Sequence, residues 1–199
     1  TMNRKRLGLQ VDFLDKNPSI TVVGTSQKFR FSDNNYKINK PPKNDKFIKA
    51  GLFVRTTILH PTIMIRSKFI KDNNITYSNS HKFCEDHLYF IDIKNKGGSF
   101  ANLLQLTDNY DFSGPKVWSN NSDKEMMNSI RKIWIGILTD ISIPIKEKYL
   151  NNLMLLSHRK LIRSPKECIE LIIFIGILLT KVDHNNGGKF IFFLSRLKD

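Results

Sequence analysis

Apolar residues follow two different patterns along this chain. Up to about residue 115 they come in short runs and alternations between prolines, glycines and polar turns, which is typical of strands and short helices. Beyond that point they recur with the spacing of one face of a helix. The pattern therefore predicts a mixed region over 1–115 and a helical extension over 116–199.

The mixed region contains several predicted elements, each bounded by a proline, a glycine or a polar turn. In chain order they are a helix ending before Pro18, a strand over 20–24, a hairpin or ribbon over 28–39, a helix over 44–53, a short buried strand over 62–66 and a helix over 84–96. The last helix is expected to end at Gly97-Gly98, because glycine adopts the left-handed capping conformation readily. Residues 109–113, with Lys116, are predicted to form a polar loop.

The helical extension is predicted to contain four helices. They lie near 122–139, 145–158, 165–182 and 187–197. Ser122, Pro144 and Ser164-Pro165 are start signals, since serine caps helix N-termini and proline favours the first turn. Together the two regions predict a single α+β unit followed by a helical C-terminal extension.

Composition and charge narrow the class of protein. The 199 residues are 40% hydrophobic and 25% charged, as in globular chains. Thirty-two Lys and Arg against eighteen Asp and Glu leave a net charge of +14, which attracts phosphates, nucleic acids or anionic lipids. The longest apolar run, over 171–179, is about half of the ~20 residues that a membrane span needs. A soluble or membrane-peripheral protein is expected.

The two cysteines give a further constraint. Cys84 and Cys168 lie far apart, and neither belongs to a Cys-x-x-Cys or Cys/His ligand spacing. Neither a disulfide framework nor a structural zinc site is indicated. Reduced thiols favour a cytoplasmic setting.

Two adjacent carboxylates, Glu85 and Asp86, stand at the start of the helix predicted over 84–96. Unpaired amides and the helix dipole stabilise negative charge at such a position, so the pair is explained as a helix start alone. It is equally explained as a base site, in which one carboxylate at the mouth of a cleft accepts a proton from an attacking hydroxyl. The residues alone leave both interpretations open.

A second candidate cluster runs from His60 through Thr62 to Arg66. A single histidine before a strand is more often a structural hydrogen-bonding residue than a catalyst. An arginine after a buried strand is also explained by pairing with a carboxylate. Taken alone, this cluster predicts no activity.

The order of these residues adds information that none of them carries alone. The pieces in question are Arg6-Leu7-x-x-Gln10, Phe13-Leu14, Asn17-Pro18-x-Ile20-x-Val22-Val23-Gly24, His60-Pro61-Thr62-x-Met64-x-Arg66, Tyr77, Glu85-Asp86, Phe100-Ala101 and 106–110. This series resembles the second half of the catalytic domain of family 2 glycosyltransferases, the nucleotide-sugar-dependent GT-A type. The resemblance covers about residues 1–120.

The resemblance implies a fold and a set of roles. The implied fold is α+β, the acceptor-side half of a GT-A-like mixed sheet followed by a C-terminal helical bundle. Asp86 would be the catalytic base of an inverting transfer from a nucleotide sugar to a glycan or lipid-linked acceptor, and Glu85 would orient it or bind acceptor hydroxyls. Three further residues would lie on the acceptor side, namely His60, Thr62 and Arg66.

The resemblance also implies a missing half. Family members bind the donor through an N-terminal Rossmann-like half and hold a divalent metal with an Asp-x-Asp motif, both of which would precede Thr1. The chain is therefore expected to be part of a longer enzyme and inactive alone. Mg²⁺ or Mn²⁺ and the nucleotide sugar are expected to bind the complete enzyme.

One loop departs from the family pattern. In many members the residues corresponding to 110–113 read Tyr-Arg-x-His, and the histidine contacts metal or diphosphate. Here Asp111 replaces the arginine and Ser113 replaces the histidine. No metal site is therefore expected from this chain alone, because isolated oxygens do not supply the coordination that Mg²⁺ or Mn²⁺ needs. Lys116, just beyond this loop, is the candidate contact to donor phosphates.

Another class of function remains open, a non-catalytic remnant or basic binding module for a partner, a nucleic acid or an anionic membrane surface. Aromatic and basic residues alternate over 28–37, which suits stacking on bases but is more typical of an amphipathic β-ribbon. Nucleic acid is accordingly the less favoured partner. A sheet edge left unpaired by the missing half would also favour a homodimer.

Overall fold

The computed structural model describes residues 2–112, 120–158 and 165–181. Over these residues the fold is α+β. Helices precede, separate and follow the strands of a mixed four-stranded sheet. The strands are β1 (Val22–Ser32), β2 (Asn35–Asn39), β3 (Met64–Ile65) and β4 (Phe100–Asp111). The helices are α1 (Arg6–Lys16), α2 (Asp45–Gly51), α3 (Ser67–Asp72), α4 (Glu85–Asn95), α5 (Asn120–Asp140), α6 (Glu147–His158) and α7 (Pro165–Lys181), with a 3₁₀ turn at His60–Thr62.

The long strand β1 is the centre of the sheet. Along one side it pairs with parallel β4, from the Val22–Phe100 pair to the Arg30–Asp111 pair. Along the other side its first two residues pair with antiparallel β3, and its second half pairs with antiparallel β2. Between β3 and β2, this side of β1 has no strand partner over 24–26.

Near this gap in strand pairing, side chains form hydrogen bonds with the backbone of β1. The Thr25 amide donates to Thr62 Oγ1 at 3.0 Å. The buried Gln10 side chain donates through Nε2 to the carbonyl oxygens of Val23, at 3.0 Å, and Thr62, at 2.7 Å. Because buried backbone groups need partners, these bonds fix α1 and the 3₁₀ turn against the centre of the sheet.

One hydrophobic cluster extends from the sheet into the C-terminal helices. It includes Val22 of β1, Phe90 of α4, Phe100 of β4, Trp134 of α5 and Phe174 of α7, all fully buried. In the C-terminal part, α5 packs on α6 and α6 packs on α7. Among the described helices, none combines the length and apolarity that a bilayer crossing requires.

The outer edge of β4 is bridged at two points. Asn44 pairs with Ala101, and Met2 pairs with Asp108. Next to the second bridge, the Asn3 amide donates to the Thr107 carbonyl at 2.7 Å. The homodimer expected from an open sheet edge stays a prediction.

Most of the elements predicted from the pattern are confirmed. The helices expected before Pro18, over 44–53 and over 84–96 correspond to α1, α2 and α4, and those near 122–139, 145–158 and 165–182 to α5, α6 and α7. The strand over 20–24 and the first arm of the ribbon form one continuous strand, β1. The boundary near 115 and the helix over 187–197 fall outside the described residues.

One prediction about the chain path was wrong in part, and another held only for a shorter segment. The loop prediction fails for 109–111, which are the end of β4 and pair with β1. The strand predicted over 62–66 is limited to Met64 and Ile65, because Pro61 lacks an amide donor and Thr62 closes a 3₁₀ turn instead.

Candidate active site

Side chains from three separate segments meet at the N-terminal end of α4. His60 comes from the 3₁₀ turn, Tyr77 from the loop between α3 and α4, and Asp86 from the first turn of α4. His60 and Tyr77 share a hydrogen bond of 2.8 Å between Nε2 and the hydroxyl oxygen. Asp86 lies close enough to both for its charge to raise the pKa of Tyr77 and for His60 to lower the pKa of Asp86. The structure thus brings together two of the predicted site residues and one that had no assigned role.

The start of α4 holds Asp86 in place. Its Oδ1 accepts a hydrogen bond from the His87 amide at 2.7 Å. His87 itself is buried, and its Nε2 donates to the Leu52 carbonyl at 2.8 Å, which ties this turn of the helix to the end of α2. Burial lowers the pKa of His87. The hydrogen bond to Leu52 and the charge of Asp86 act in the opposite direction but are weaker, so this side chain is a neutral anchor. Asp86 is therefore positioned by backbone rather than by a flexible side-chain contact.

The environment of Asp86 favours a proton acceptor. Burial raises its pKa above the ordinary aspartate value. The hydrogen bond from the His87 amide and the nearby imidazoles of His60 and His87 oppose that rise, and the neighbouring Glu85 adds to it. A carboxylate with a raised pKa is a stronger base than an exposed one, so this position suits deprotonation of a hydroxyl. Glu85, by contrast, is exposed.

Aromatic rings form the wall of this site. Tyr77 stacks on Tyr89 with ring centroids 4.1 Å apart and planes 9° apart. The His60 ring meets Tyr77 edge to face at 5.8 Å and Phe90 at 6.2 Å. Burial first, then Tyr89 and the two carboxylates of α4, raise the pKa of Tyr77, so its hydroxyl stays protonated. The rings hold His60 in one orientation towards α4.

Thr62 and Arg66 form hydrogen bonds to the backbone of neighbouring segments. The buried Thr62 hydroxyl donates to the Leu59 carbonyl at 2.8 Å while it accepts from the Thr25 amide. The Arg66 guanidinium donates to three carbonyl oxygens at the end of α1 and just after it, those of Leu14 (2.5 Å), Asn17 (3.3 Å) and Ile20 (2.8 Å). Both side chains thus have positioning contacts, and their contact with an acceptor stays a prediction. Lys116 lies outside the described residues.

Sequence reasoning missed an ion pair that supports the site. Arg6 Nη1 lies 2.8 and 2.9 Å from the two carboxylate oxygens of Asp108, and donates to the Pro61 carbonyl at 2.8 Å. The two side chains are only 12% and 9% exposed. The Thr107 hydroxyl also donates to Asp108, at 2.8 Å, and shares a hydrogen bond with Thr25. Arg6 therefore connects the start of α1, the turn carrying His60 and the second half of β4.

Metal-ligating side chains do not cluster in the described part of the chain. Within 2–112, 120–158 and 165–181, no group of three or more His, Cys, Asp and Glu side chains is arranged to hold an ion. Two cavities of about 280 and 320 Å³ are lined mainly by β4 and the strands beside it rather than by His60, Tyr77 or Asp86. The expectation that a metal belongs to the complete enzyme stays a prediction.

Comparisons with known proteins yield a distant structural likeness. No family model and no curated protein matches the sequence. Among solved structures, the crystal structure of S. aureus TarS matches with a TM-score of 0.45 and 17% identity over 98% of this chain. A crystal structure of TarS residues 1–349 matches with a TM-score of 0.46 and 17% identity, also over 98% of this chain. This chain spans 38% and 62% of the lengths of those two chains.

Proposed function

We propose that this chain is the acceptor-side half of an inverting, family 2-like glycosyltransferase. The proposed reaction transfers a sugar from a nucleotide-sugar donor to a glycan or lipid-linked acceptor. The observation that carries the proposal is the part-buried Asp86 carboxylate at the start of α4, within electrostatic reach of His60. The resemblance of the motifs containing His60 and Glu85-Asp86 to this family supports the same assignment.

In the proposed step Asp86 takes the proton of an acceptor hydroxyl. The oxygen of that hydroxyl forms a bond to the anomeric carbon of the donor sugar. The bond from the anomeric carbon to the phosphate oxygen breaks, and the nucleoside diphosphate leaves with the electron pair. A single displacement of this kind inverts the configuration at the anomeric carbon.

The other residues have supporting roles in this proposal. Glu85 is exposed beside Asp86 and suits hydrogen bonding to acceptor hydroxyls. His60 limits the rise of the Asp86 pKa, so the carboxylate stays ionised over a wider pH range. Since no described residues group as metal ligands, no step is assigned to a metal held by this chain. The donor diphosphate, with Mg²⁺ or Mn²⁺, is proposed to bind an upstream half of a longer protein.

One observation favours the alternative function, a basic binding module. At the far end of β1 and β4 the rings of Phe31 and Phe112 stack at 5.5 Å, and both are nearly half exposed. On β1 and β2, Lys28 Nζ lies 3.8 Å above the ring of Tyr36. Exposed aromatic and basic groups of this kind suit an anionic partner. Pelleting with anionic vesicles, or gel shift with an oligonucleotide, would show such binding independently of any transfer.

The proposal predicts that this chain alone neither hydrolyses nor transfers from a nucleotide sugar. Calorimetry with UDP or GDP and Mn²⁺ should show no metal-dependent binding tighter than about 100 μM, roughly −5.5 kcal/mol. Expressed together with the coding sequence upstream of Thr1, the protein should release UDP or GDP from a nucleotide sugar when acceptor is added. Tight metal-dependent binding by the chain alone, or no release by the longer protein, would contradict the assignment.

A further inference from the structure

The ring of Tyr77 is presented to solvent on one face only. Its other face is covered by Tyr89, which is 6% exposed and lies parallel to it at 4.1 Å. Tyr77 nevertheless keeps 45% of its surface exposed. The exposed part therefore includes the ring face opposite Tyr89, a flat apolar surface about the size of one six-membered ring.

This ring is held in a fixed orientation. Its hydroxyl is tied to His60 Nε2 at 2.8 Å, and the His60 ring stands perpendicular to it, at 89°. Beneath it, Tyr89 packs against the buried Phe90 with centroids 6.2 Å apart. A surface that is already ordered needs little further ordering when a ligand binds, which favours affinity for weakly held ligands.

Hydrogen-bonding groups lie near the Tyr77 ring. The charges of Asp86 and Glu85 both raise the pKa of Tyr77, although less than its burial does, which places the two carboxylates close to the ring. Carboxylates accept hydrogen bonds from hydroxyl groups. An apolar ring face that contacts an imidazole and has two carboxylates in its vicinity is therefore a surface for a ligand that is apolar on one side and hydroxylated at its rim.

We propose that the exposed face of Tyr77 is a stacking subsite for a pyranose ring of the acceptor. This inference rests on the proposed function and names a residue of the same site. The axial C–H groups of a pyranose carry partial positive charge, which matches the negative face of the aromatic ring. A sugar stacked there would lie in the vicinity of Asp86.

The local charge selects a sugar rather than a nucleic acid for this face. A nucleobase would also stack on tyrosine, but its phosphates would approach Asp86 and Glu85. Repulsion between the phosphates and the carboxylates would oppose binding. The hydroxyls of a neutral sugar would instead donate hydrogen bonds to the carboxylates. The subsite is therefore assigned to an uncharged pyranose ring.

The test is saturation-transfer NMR with the methyl β-pyranosides of glucose, galactose and N-acetylglucosamine. Sorbitol is the control ligand, because it has similar hydroxyls but no flat ring face. At least one pyranoside should bind more tightly than sorbitol. Tyr77→Ala should weaken that binding about tenfold or more, while Tyr77→Phe should keep it within about threefold, because the ring face and not the hydroxyl binds. Tyr36→Ala, at another exposed tyrosine, should leave it unchanged.

Several results would overturn the subsite. They are equal binding of sorbitol and the pyranosides, no binding of any pyranoside, or a folded Tyr77→Ala variant that binds as the parent does. Amide spectra of each variant establish that it is folded. Asp86→Asn separates this inference from the proposed function. If pyranoside binding depends on Tyr77 but Asp86→Asn leaves transfer intact, the assignment of Asp86 as the base fails and the subsite stands. If Asp86→Asn abolishes transfer but pyranoside binding does not depend on Tyr77, only the subsite fails.

Discussion

In the proposed longer glycosyltransferase, Asp86→Asn is expected to lower the transfer rate per folded molecule by about 10²-fold or more, because the amide cannot accept the acceptor proton. Donor binding should be unchanged. The amide oxygen can still accept the hydrogen bond from the His87 amide, so the start of α4 should keep its shape. Initial rates of nucleoside diphosphate release, normalised to folded protein, measure the effect.

The same substitution distinguishes a base from a mere helix start. Burial raises the pKa of Asp86, so the folded state disfavours its charged form. The contribution of Asp86 to the free energy of unfolding therefore falls as the pH rises through its pKa in the folded state. At pH 7 Asp86→Asn should therefore leave the free energy of unfolding unchanged or raise it. If Asp86 were only a favourable helix-start charge, the change would lower stability by up to ~1 kcal/mol and leave turnover intact.

Asp92 provides a matched control on the same helix. It is also part-buried, and burial likewise raises its pKa, but its charged neighbours are His81 and Lys96 rather than His60. Asp92→Asn should change turnover by less than about twofold. Equal loss of turnover in Asp92→Asn and Asp86→Asn would point to a general effect on α4 and remove Asp86 from its catalytic role.

Arg6→Met is expected to destabilise the fold by about 3–5 kcal/mol, since it leaves the Asp108 carboxylate buried without its cation. It also removes the hydrogen bond from Arg6 to the Pro61 carbonyl, which holds the turn carrying His60. Urea unfolding followed by circular dichroism measures the loss.

Two further variants separate the buried charge from other causes. Arg4→Met removes the same charge from an exposed position two residues earlier, and should change stability by no more than about 0.5 kcal/mol. The double variant Arg6→Met/Asp108→Asn removes both charges, and should recover at least about half of the loss. An Arg6→Met loss no larger than that of Arg4→Met would show that the pair does not support this region.

Local signals sufficed to predict the helices. α4 begins with Glu85-Asp86, as expected for a helix N-terminus, and ends before Gly97, which has a φ of 84°. These signals lie within a few residues of the ends they determine. That proximity is why the pattern identified α4 and the C-terminal helices at nearly their observed bounds.

The strand β4 was not predictable from its pattern, for a reason visible in its pairing. Its register with β1 shifts twice, so that Thr25 faces Leu103, Ser26 faces Leu106 and Gln27 faces Asp108. These bulges break the alternation of apolar and polar residues that marks a strand. The partner strand also lies far away in the sequence, where no local rule operates.

The candidate site was predictable in part. Asp86 and His60 were proposed together through the family resemblance, and the structure places them within electrostatic reach. The pairing of Arg6 with Asp108 spans 102 positions, and no spacing in the sequence marks it. The stack of Tyr77 on Tyr89 depends likewise on how a loop folds back on α4. Such contacts follow from the tertiary fold alone.

The most direct test of Asp86 as the base is the pH dependence of the transfer rate in the complete enzyme and in His60→Ala. The groups that act on the Asp86 pKa are Glu85 and His87 on α4 and His60 on the 3₁₀ turn, and His60 lowers it. The rate should fall on the acid side with an apparent pKa above the ordinary aspartate value. In His60→Ala this limb should move to higher pH, whatever the maximal rate. An acid limb that stays in place or moves to lower pH in His60→Ala would contradict the account.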